Sequence, residues 1–278
     1  MKKQNKNKIK EGNQAVTAVL YILAAVAALI TLYPMYYVLI LSLSDPAYAA
    51  TMRVYLLPKG FNLSAFEVLI TDTKMWRAYT NTILYVLPTT VLMIATSTVV
   101  AFGLNYKKLI GRKFLTMFLL IPMYFAGGTI PSFLLMVKLG LYDNPLSQII
   151  PACFSIWNII LVKAYFRSIP ESLTEAARID GCNGWQLFRY IYLPNIKSTV
   201  NLMFVMIVIG SFLAFDYVKL LTGGGPAHST EVLGTYAYSF AFSEMKVGKA
   251  AAVGLFMSFF GLIASLIYTR MSRKENMD

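Results

Sequence analysis

The chain has 278 residues, of which 57% are hydrophobic and only 14% are charged, and its mean hydropathy is +0.59. Soluble domains usually carry about 25% charged residues, so this composition excludes an ordinary soluble domain and indicates a membrane protein. The net charge of +12 is compatible with nucleic acid or anionic lipid. Because the basic residues are sorted by loop along the chain, we expect contact with membrane lipid and none with nucleic acid. One histidine and two cysteines leave no basis for a metal site.

Apolar runs predict an all-α membrane domain at residues 16–270, since a helix needs about 20 apolar residues to cross a bilayer. The first run is far longer than the ~7–15 apolar residues of a signal-peptide core, so we expect a retained helix. Six spans are predicted, at about 16–40, 80–104, 114–137, 146–166, 199–217 and 250–269.

The distribution of lysine and arginine predicts the orientation of these spans. Basic residues concentrate in the tail 1–15, the loop 105–113, the segment 163–198 and the tail 271–278. Positive charge is enriched on the cytoplasmic side of membrane proteins. We therefore expect a multi-pass protein of the bacterial cell membrane with both termini in the cytoplasm.

The most informative motif lies in the segment 168–198, between the fourth and fifth predicted spans. Residues 175–194 read EAARIDGCNGWQLFRYIYLP. Pro170 fits the start of a helix, and Gly181 fits a left-handed helix end. A helix–turn–helix with small residues at its tip is therefore predicted, either as a docking surface for a partner or as an ordinary amphipathic loop covering the base of the bundle.

The spacing E-A-A-x3-G-x9-I-x-L-P resembles the EAA loop of binding-protein-dependent ABC importer permeases. The chain is similar to carbohydrate-uptake type 1 permease subunits over nearly its whole length. Supporting stretches are Asn81-Thr82, Ile169-Pro170-Glu171 and LLTGGGPAHST at 220–230. The resemblance implies the type I permease fold, with six transmembrane helices and a cytoplasmic coupling helix.

The resemblance also implies which residues couple the chain to an ATPase. In the family, the EAA segment fits a cleft on the cytoplasmic ATPase subunit. The coupling residues implied here are Glu175, Ala176, Ala177 and Gly181, and the flanking Arg178 and Asp180 are further candidates for pairing with the ATPase.

The chain lacks a phosphate-binding loop of the form G-x4-G-K-[ST]. Gly248-Lys249 is followed by Ala250, and Ser243 stands where the first glycine is needed. We therefore expect no cofactor on this chain, with ATP and Mg²⁺ bound by partner subunits. The family supplies two ATPase subunits, a second homologous permease and an extracytoplasmic solute-binding protein.

Candidates for the translocation path are polar or aromatic residues in the spans. Breaks such as Gly127-Gly128 are tolerated where backbone lines a cavity or packs against protein. Ring stacking suits a sugar, but a kinked helix with close packing also accounts for this region. The remaining polar groups either line the path or join helices, and Asp216 either faces a cavity or pairs with Lys219. The candidates are Tyr124, Phe125, Asn158, Asn201, Ser211 and Asp216.

A glycine run follows the fifth span on the predicted outer side. Gly223, Gly224, Gly225 and Pro226 have no basic cluster beside them, so a turn is favoured over a phosphate cradle. The resemblance implies a surface loop that faces the solute-binding protein.

The residues and the resemblance together predict a non-enzymatic half of an ATP-driven importer, and the resemblance implies a sugar as the solute, with an oligosaccharide favoured. One alternative is a secondary transporter working without an ATPase, which needs coupling-ion residues within the spans. The other is a membrane-embedded transferase, which needs clustered acids or histidines at one membrane face. Neither pattern is found in the sequence.

Overall fold

The computed structural model describes residues 14–125, 127–212, 215–225 and 228–275, and the regular structure of these residues is helical. The helices are α1 Gln14–Ser42, α2 Pro46–Ala50, α3 Ser64–Thr71, α4 Thr73–Asn105, α5 Arg112–Tyr124, α6 Thr129–Lys138, α7 Leu146–Ala152, α8 Ile156–Ser168, α9 Glu171–Ile179, α10 Gly184–Asn195, α11 Lys197–Phe212, α12 Asp216–Leu221, α13 Leu233–Tyr238 and α14 Val247–Glu275.

Four stretches of the described chain are long and apolar enough to cross a membrane: Val16–Ser42, Thr73–Asn105, Leu146–Ser168, which contains α7 and α8, and Val247–Arg270. Two bent helix pairs, α5 with α6 and α10 with α11, raise the count to six if each pair is one span. The predicted all-α class is confirmed. The six predicted segments overlap these helices, residues 126, 213 and 214 lie outside the described residues, and the bounds of the spans stay predictions.

The helix that carries the second predicted span begins at Thr73, before the predicted residue 80. Asp72 caps α4, because its side chain accepts a hydrogen bond from the Lys74 N–H at 2.9 Å. An aspartate at this position satisfies one of the N–H groups that a helix start leaves unpaired. The cap sets the start of α4 outside the apolar run.

The third span is broken in the region that the Gly127-Gly128 pair marks. Gly128 has φ +85° and stands at the start of α6, a conformation that a side chain would strain. The axes of α5 and α6 differ by 113°. The predicted interruption is therefore present.

Helix α4 is at the centre of the packing. At its C-terminal end it contributes Ala101 and Leu104 to an apolar core with residues of α8 and α11. Near its N-terminal end, Met75 and Ala78 pack with residues of α3, α13 and α14. One helix thus connects the two ends of the bundle.

Helix α1 is peripheral. None of its most apolar 18-residue stretch is buried within the chain. Only its C-terminal end packs, where Ile40 and Leu41 meet Ala49, Val54 and Ala251.

Candidate functional site

The EAA motif lies on α9, and its three residues differ in exposure to solvent. Ala177 is 7% exposed and faces the protein, whereas Glu175, Ala176 and Arg178 are exposed. A buried alanine beside exposed neighbours is what an amphipathic helix lying on a protein surface presents. The motif residues are therefore available to a partner, while Ala177 seats the helix.

Gly181 ends α9 in the predicted left-handed conformation, with φ +84°. The Cys182 N–H donates to the Ala177 carbonyl at 2.9 Å, and the Gly181 N–H donates to the Arg178 carbonyl at 3.1 Å. These bonds satisfy carbonyls that the helix end leaves unpaired. The chain then reverses, and Asp180 and Gly181 stand exposed at the turn.

The second helix of the segment starts with a reciprocal cap. The Gln186 N–H donates to Asn183 Oδ1 at 2.9 Å, and the Asn183 N–H donates to Gln186 Oε1 at 2.8 Å. Such a capping box fixes a helix start. Residues 187–192 then form a π-helical turn. The wider turn changes the directions in which the following side chains point.

An aromatic cluster lies beneath this second helix. The Phe102 ring centroid is 5.1 Å from that of Phe188 and 5.2 Å from that of Tyr192, and Tyr192 is 5.0 Å from Phe166. The Tyr192 hydroxyl accepts a hydrogen bond from the Asn105 amide at 3.3 Å. This cluster attaches the segment 168–198, which we call the coupling segment, to α4 and α8. Sequence reasoning missed it, because Phe102 and Phe166 read only as lipid-compatible residues of spans.

The loop after α4 holds the first helix of the segment. Lys107 forms an ion pair with Glu171, and the Arg178 guanidinium lies 6.0 Å from the centroid of the Tyr106 ring. The ion pair is exposed, so screening leaves it little energy. Its interest is geometric, since both ends of α9 reach the same loop. In the sequence, the basic residues of this loop were used only as a topology signal, and its contacts with Glu171 and Arg178 were not anticipated.

Large apolar side chains surround the exposed motif. Leu173 is 46%, Ile179 86%, Trp185 68% and Tyr190 69% exposed. Apolar groups exposed together mark interaction sites more often than isolated ones do. We call this region, residues 171–190, the coupling surface.

The glycine run is shaped by backbone geometry. Gly223, Gly224 and Gly225 all have positive φ. A Cβ on Gly225 would lie 2.6 Å from the Ser229 hydroxyl oxygen, which is closer than atoms approach. Pro226 lies outside the described residues.

The loop after the glycines is tied to the start of α4. The Asn81 amide donates to the carbonyls of Ser229 at 2.9 Å and Glu231 at 3.0 Å, and the Leu233 N–H donates to the Thr82 hydroxyl at 3.1 Å. Two of the sequence stretches that carried the family resemblance thus contact each other. Asn81 is a positioning residue that sequence reasoning noticed without assigning it a role.

The translocation candidates are scattered over several environments. The rings of Tyr124 and Phe125 are 74% and 78% exposed at the end of α5. The Asn158 amide lies 3.1 Å from the Met93 sulfur on α4, a contact between helices. Asn201 is half-buried and engaged in a polar contact, and Asp216 is exposed at the first turn of α12. The Lys219 ammonium lies 4.8 Å from the Tyr238 ring centroid.

Ser211 lines a small cavity of about 50 Å³ that is partly open to solvent. Polar groups of α4 and α7 share the lining, among them Tyr85, Thr89 and Gln148. The Gln148 Nε2 atom is buried and has no hydrogen-bond partner among the described residues. Of the candidates, Ser211 alone is a lining residue of this cavity.

The described residues contain no group of three or more His, Cys, Asp or Glu side chains placed to hold a metal ion.

Comparison with known proteins places this architecture among transport proteins. The family model described as "Binding-protein-dependent transport system inner membrane component" matches residues 103–276, which is more than half of the chain. The matched region includes the whole coupling segment.

Two curated relatives are similar over much of the chain. The polygalacturonan/rhamnogalacturonan transport system permease protein YtcP of Bacillus subtilis is 31% identical over 182 residues, which are 66% of this chain and 64% of the relative. The multiple sugar-binding transport system permease protein MsmF of Streptococcus mutans is 27% identical, over 76% of this chain and 81% of the relative. The matched regions span under two thirds of the length of YtcP.

Solved structures agree with the fold. A chain in the crystal structure of a bacterial ABC transporter involved in the import of the acidic polysaccharide alginate superposes with a TM-score of 0.78. It is 27% identical, and the match covers 92% of this chain and 95% of that chain. A second alginate transporter structure, in complex with an alginate pentasaccharide-bound periplasmic protein, gives a TM-score of 0.72 at 20% identity, with 93% and 94% coverage.

Proposed function

Because the chain belongs to the family of binding-protein-dependent transport system inner membrane components, we propose that it is a transmembrane subunit of an ATP-driven sugar importer. The family predicted from the EAA spacing is confirmed. The observation that carries the functional proposal is the coupling surface. Its exposed motif residues stand on α9, which contacts the loop after α4, and the following helix α10 is attached to α4 through the Phe102 cluster. An outside motor pushing on α9 therefore acts on the central helix of the bundle.

The motor is a pair of ATPase subunits that bind ATP and Mg²⁺. This chain lacks the phosphate-binding loop and carries out no covalent chemistry. It forms half of the pathway together with a second, homologous permease. ATP-driven closure of the ATPase dimer shifts the membrane subunits between inward- and outward-facing packings, because ATP binds one arrangement better than the other.

The favoured solute is an oligosaccharide. The names of YtcP and MsmF describe transport of polygalacturonan/rhamnogalacturonan and of multiple sugars, and the alginate transporter is involved in the import of an acidic polysaccharide. A solute-binding protein delivers the sugar on the outer side, and the alginate complex with a pentasaccharide-bound periplasmic protein supports this partner. Gly223, Gly224, Gly225 and Pro226 begin the segment of this chain that faces it, and Asn81 holds the later residues Ser229 and Glu231 of the same segment.

Co-purification with the ATPase subunits tests the coupling assignment. We expect Glu175→Ala to weaken recovery of the ATPase and to reduce ATP-dependent sugar uptake in proteoliposomes, with normal membrane insertion. The matched control is Glu244→Ala, an exposed acid on the other side of the predicted topology, which should leave ATPase recovery unchanged.

Unchanged ATPase recovery and uptake in Glu175→Ala would overturn the role of the coupling surface. The substrate class is tested separately by growth on a panel of oligosaccharides with and without the gene. Uptake of a sugar that survives removal of the ATPase subunits would favour the secondary transporter instead.

A further inference from the structure

A short apolar loop beside α1 has no role in the coupling or the loop contacts described above. Residues 53–59 read RVYLLPK, and Tyr55, Leu56 and Leu57 are 63%, 68% and 72% exposed. We call residues 53–59 the apolar loop. Its tip is three consecutive exposed apolar side chains, which is unusual for a loop that faces water.

The two ends of the apolar loop are fixed to the protein. Val54 is fully buried against the C-terminal end of α1. At the other end, the Asp45 N–H donates to the Lys59 carbonyl at 2.9 Å, and the Lys59 N–H donates to the Ser44 hydroxyl at 3.2 Å. The tip is therefore held in an exposed position by structure on both sides of it.

Three tyrosines on one face of α1 hold the inner side of this loop. The Tyr33 hydroxyl donates to the Tyr55 carbonyl at 3.1 Å, and the Tyr36 hydroxyl donates to the Leu56 carbonyl. The Tyr37 hydroxyl contacts the Met52 sulfur at 3.6 Å. Residues three and four apart share one face of a helix. The loop thus lies along the side of α1 and not above its end.

The tyrosine contacts place the tip part-way along α1 and not beyond its end. Tyr33 lies about 14 Å along the helix axis from the last residue of α1, at about 1.5 Å per residue, and α1 ends at Ser42. The flank of α1 at this level is exposed and apolar. Irregular backbone near lipid requires partners for its carbonyls, and the tyrosine hydroxyls supply them for two.

Charge at both ends of the loop favours lipid over protein as the occupant. Arg53 and Lys59 are exposed and flank the three apolar residues. Long basic side chains place apolar stems in the hydrocarbon and their charges among phosphates, and tyrosine is enriched at that boundary. A protein interface core, by contrast, is depleted of lysine.

We propose that the apolar loop inserts into the membrane leaflet at the C-terminal end of α1. Tyr55, Leu56 and Leu57 contact the upper acyl chains, while Arg53 and Lys59 bind lipid phosphates. The loop is a second membrane contact of the segment between the first two spans and fixes α1 and the segment 43–72 at one depth. This inference needs only that α1 spans the membrane and is independent of the partner assignments above.

Depth-dependent fluorescence quenching tests the insertion. Both native cysteines are free and are replaced by alanine in the full-length chain, and Leu56→Cys is labelled with an environment-sensitive fluorophore in proteoliposomes. We expect blue-shifted emission that is lost with lipids spin-labelled near the top of the acyl chain and that resists aqueous iodide. Leu29→Cys, at an exposed mid-helix position of α1, is the control for deep lipid. Glu67→Cys, at an exposed polar position of α3, is the control for water.

Each other outcome contradicts the proposal. Quenching of the Leu56 probe by iodide, as at Glu67, places the loop in water. Protection from both iodide and spin-labelled lipid means that protein covers it, as a second permease subunit would do.

The role of the tyrosines is tested by a double substitution, Tyr33→Phe with Tyr36→Phe, which keeps both rings and removes both hydroxyls. We expect the Leu56 probe to lose part of its quenching by lipid and to gain quenching by iodide. An unchanged profile would show that these hydrogen bonds do not hold the loop at its depth.

Discussion

Gly181 shows how a single backbone conformation shapes the coupling surface. Its φ of +84° is reached at no steric cost without a side chain, and a Cβ there would meet no other atom within 4 Å. The requirement for glycine is therefore conformational and does not come from crowding. Gly184, three residues further on, has an ordinary backbone and equally open surroundings, which makes it a matched control.

We expect Gly181→Ala to destabilise the end of α9 by about 1–2 kcal/mol, the cost of a left-handed conformation for a residue with a Cβ. Hydrogen–deuterium exchange at residues 180–182 should accelerate, because the Cys182 N–H bond to Ala177 opens more often. ATPase recovery should fall in parallel. Gly184→Ala should leave both unchanged, and equal behaviour of the two variants would contradict the conformational argument.

Tyr236 is a second residue whose environment has a measurable consequence. Burial of the ring, and then its hydrogen bond to Asp72, raise the pKa of Tyr236 above its ordinary value of 10.0. Asp72 also caps α4, so this bond joins α13 to the start of the central helix. A raised pKa in the folded state means that the neutral phenol is favoured there. Its contribution to stability is complete below pH 10 and is lost as the pH rises further.

Tyr236→Phe should therefore reduce the loss of stability at alkaline pH. The thermal midpoint of the detergent-solubilised chain is measured from pH 8 to 11 for both proteins. We expect the wild type to lose more stability above about pH 10, the ordinary pKa of tyrosine, and the difference between the two proteins to shrink. Parallel curves would contradict the assigned role of this hydroxyl.

Among the elements, α4 links the coupling surface to the opposite end of the bundle. Phe102 contacts rings of α8 and α10, and Asn81 near the other end holds the loop after the glycine run. Both contacts lie on one continuous helix of 33 residues. A displacement of the coupling segment can therefore reach the loop after the glycine run through a single helix.

We expect Phe102→Ala to uncouple ATP hydrolysis from uptake. Removing the ring leaves a void among Phe166, Phe188 and Tyr192, and costs up to about 3 kcal/mol by the scale of core phenylalanine truncations. In proteoliposomes of the assembled transporter, hydrolysis should persist while sugar uptake per ATP falls.

Two variants make this prediction specific. Tyr192→Phe keeps all the ring contacts and loses only the Asn105 bond, so coupling should be nearly normal. Phe114→Ala removes a ring that is 71% exposed and should have little effect. A proportional fall of hydrolysis and uptake in Phe102→Ala would indicate a merely structural role for this ring.

For the whole molecule, orientation is the property that the coupling proposal needs most. Lysine and arginine favour a cytoplasmic location for both tails, the loop 105–113 and the segment 163–198. That last segment includes the coupling surface. Its exposed apolar residues would have no ATPase partner on the other side of the membrane.

Reporter fusions test this orientation. Alkaline phosphatase should be inactive after residue 110 and after residue 278, and active after residue 60. Green fluorescent protein at the C-terminus should fluoresce. Phosphatase activity at residue 110 would reverse the topology and remove the basis for ATPase coupling.

Much of the helical organisation could be predicted because it depends on local properties. Apolar runs predicted segments that overlap the long apolar helices, and Gly181 predicted the end of α9, since both follow from side-chain polarity and backbone sterics. Boundaries were less predictable. The start of α4 at Thr73 depends on a cap by Asp72, which a hydropathy pattern does not register. The roles of the translocation candidates stay predictions.

By itself, the sequence determined the all-helical membrane class, the interruption of the third span and the family. Composition, glycine placement and the EAA spacing are local properties that can be identified without knowing which residues contact each other. Only the tertiary structure decided which contacts hold the coupling segment, the loop after the glycine run and the apolar loop. Phe102 meets Phe188 and Tyr192, Asn81 meets Ser229, and Tyr33 meets Tyr55 across long separations in sequence. Such contacts depend on how helices pack against one another, and residue spacing along one helix carries no record of that.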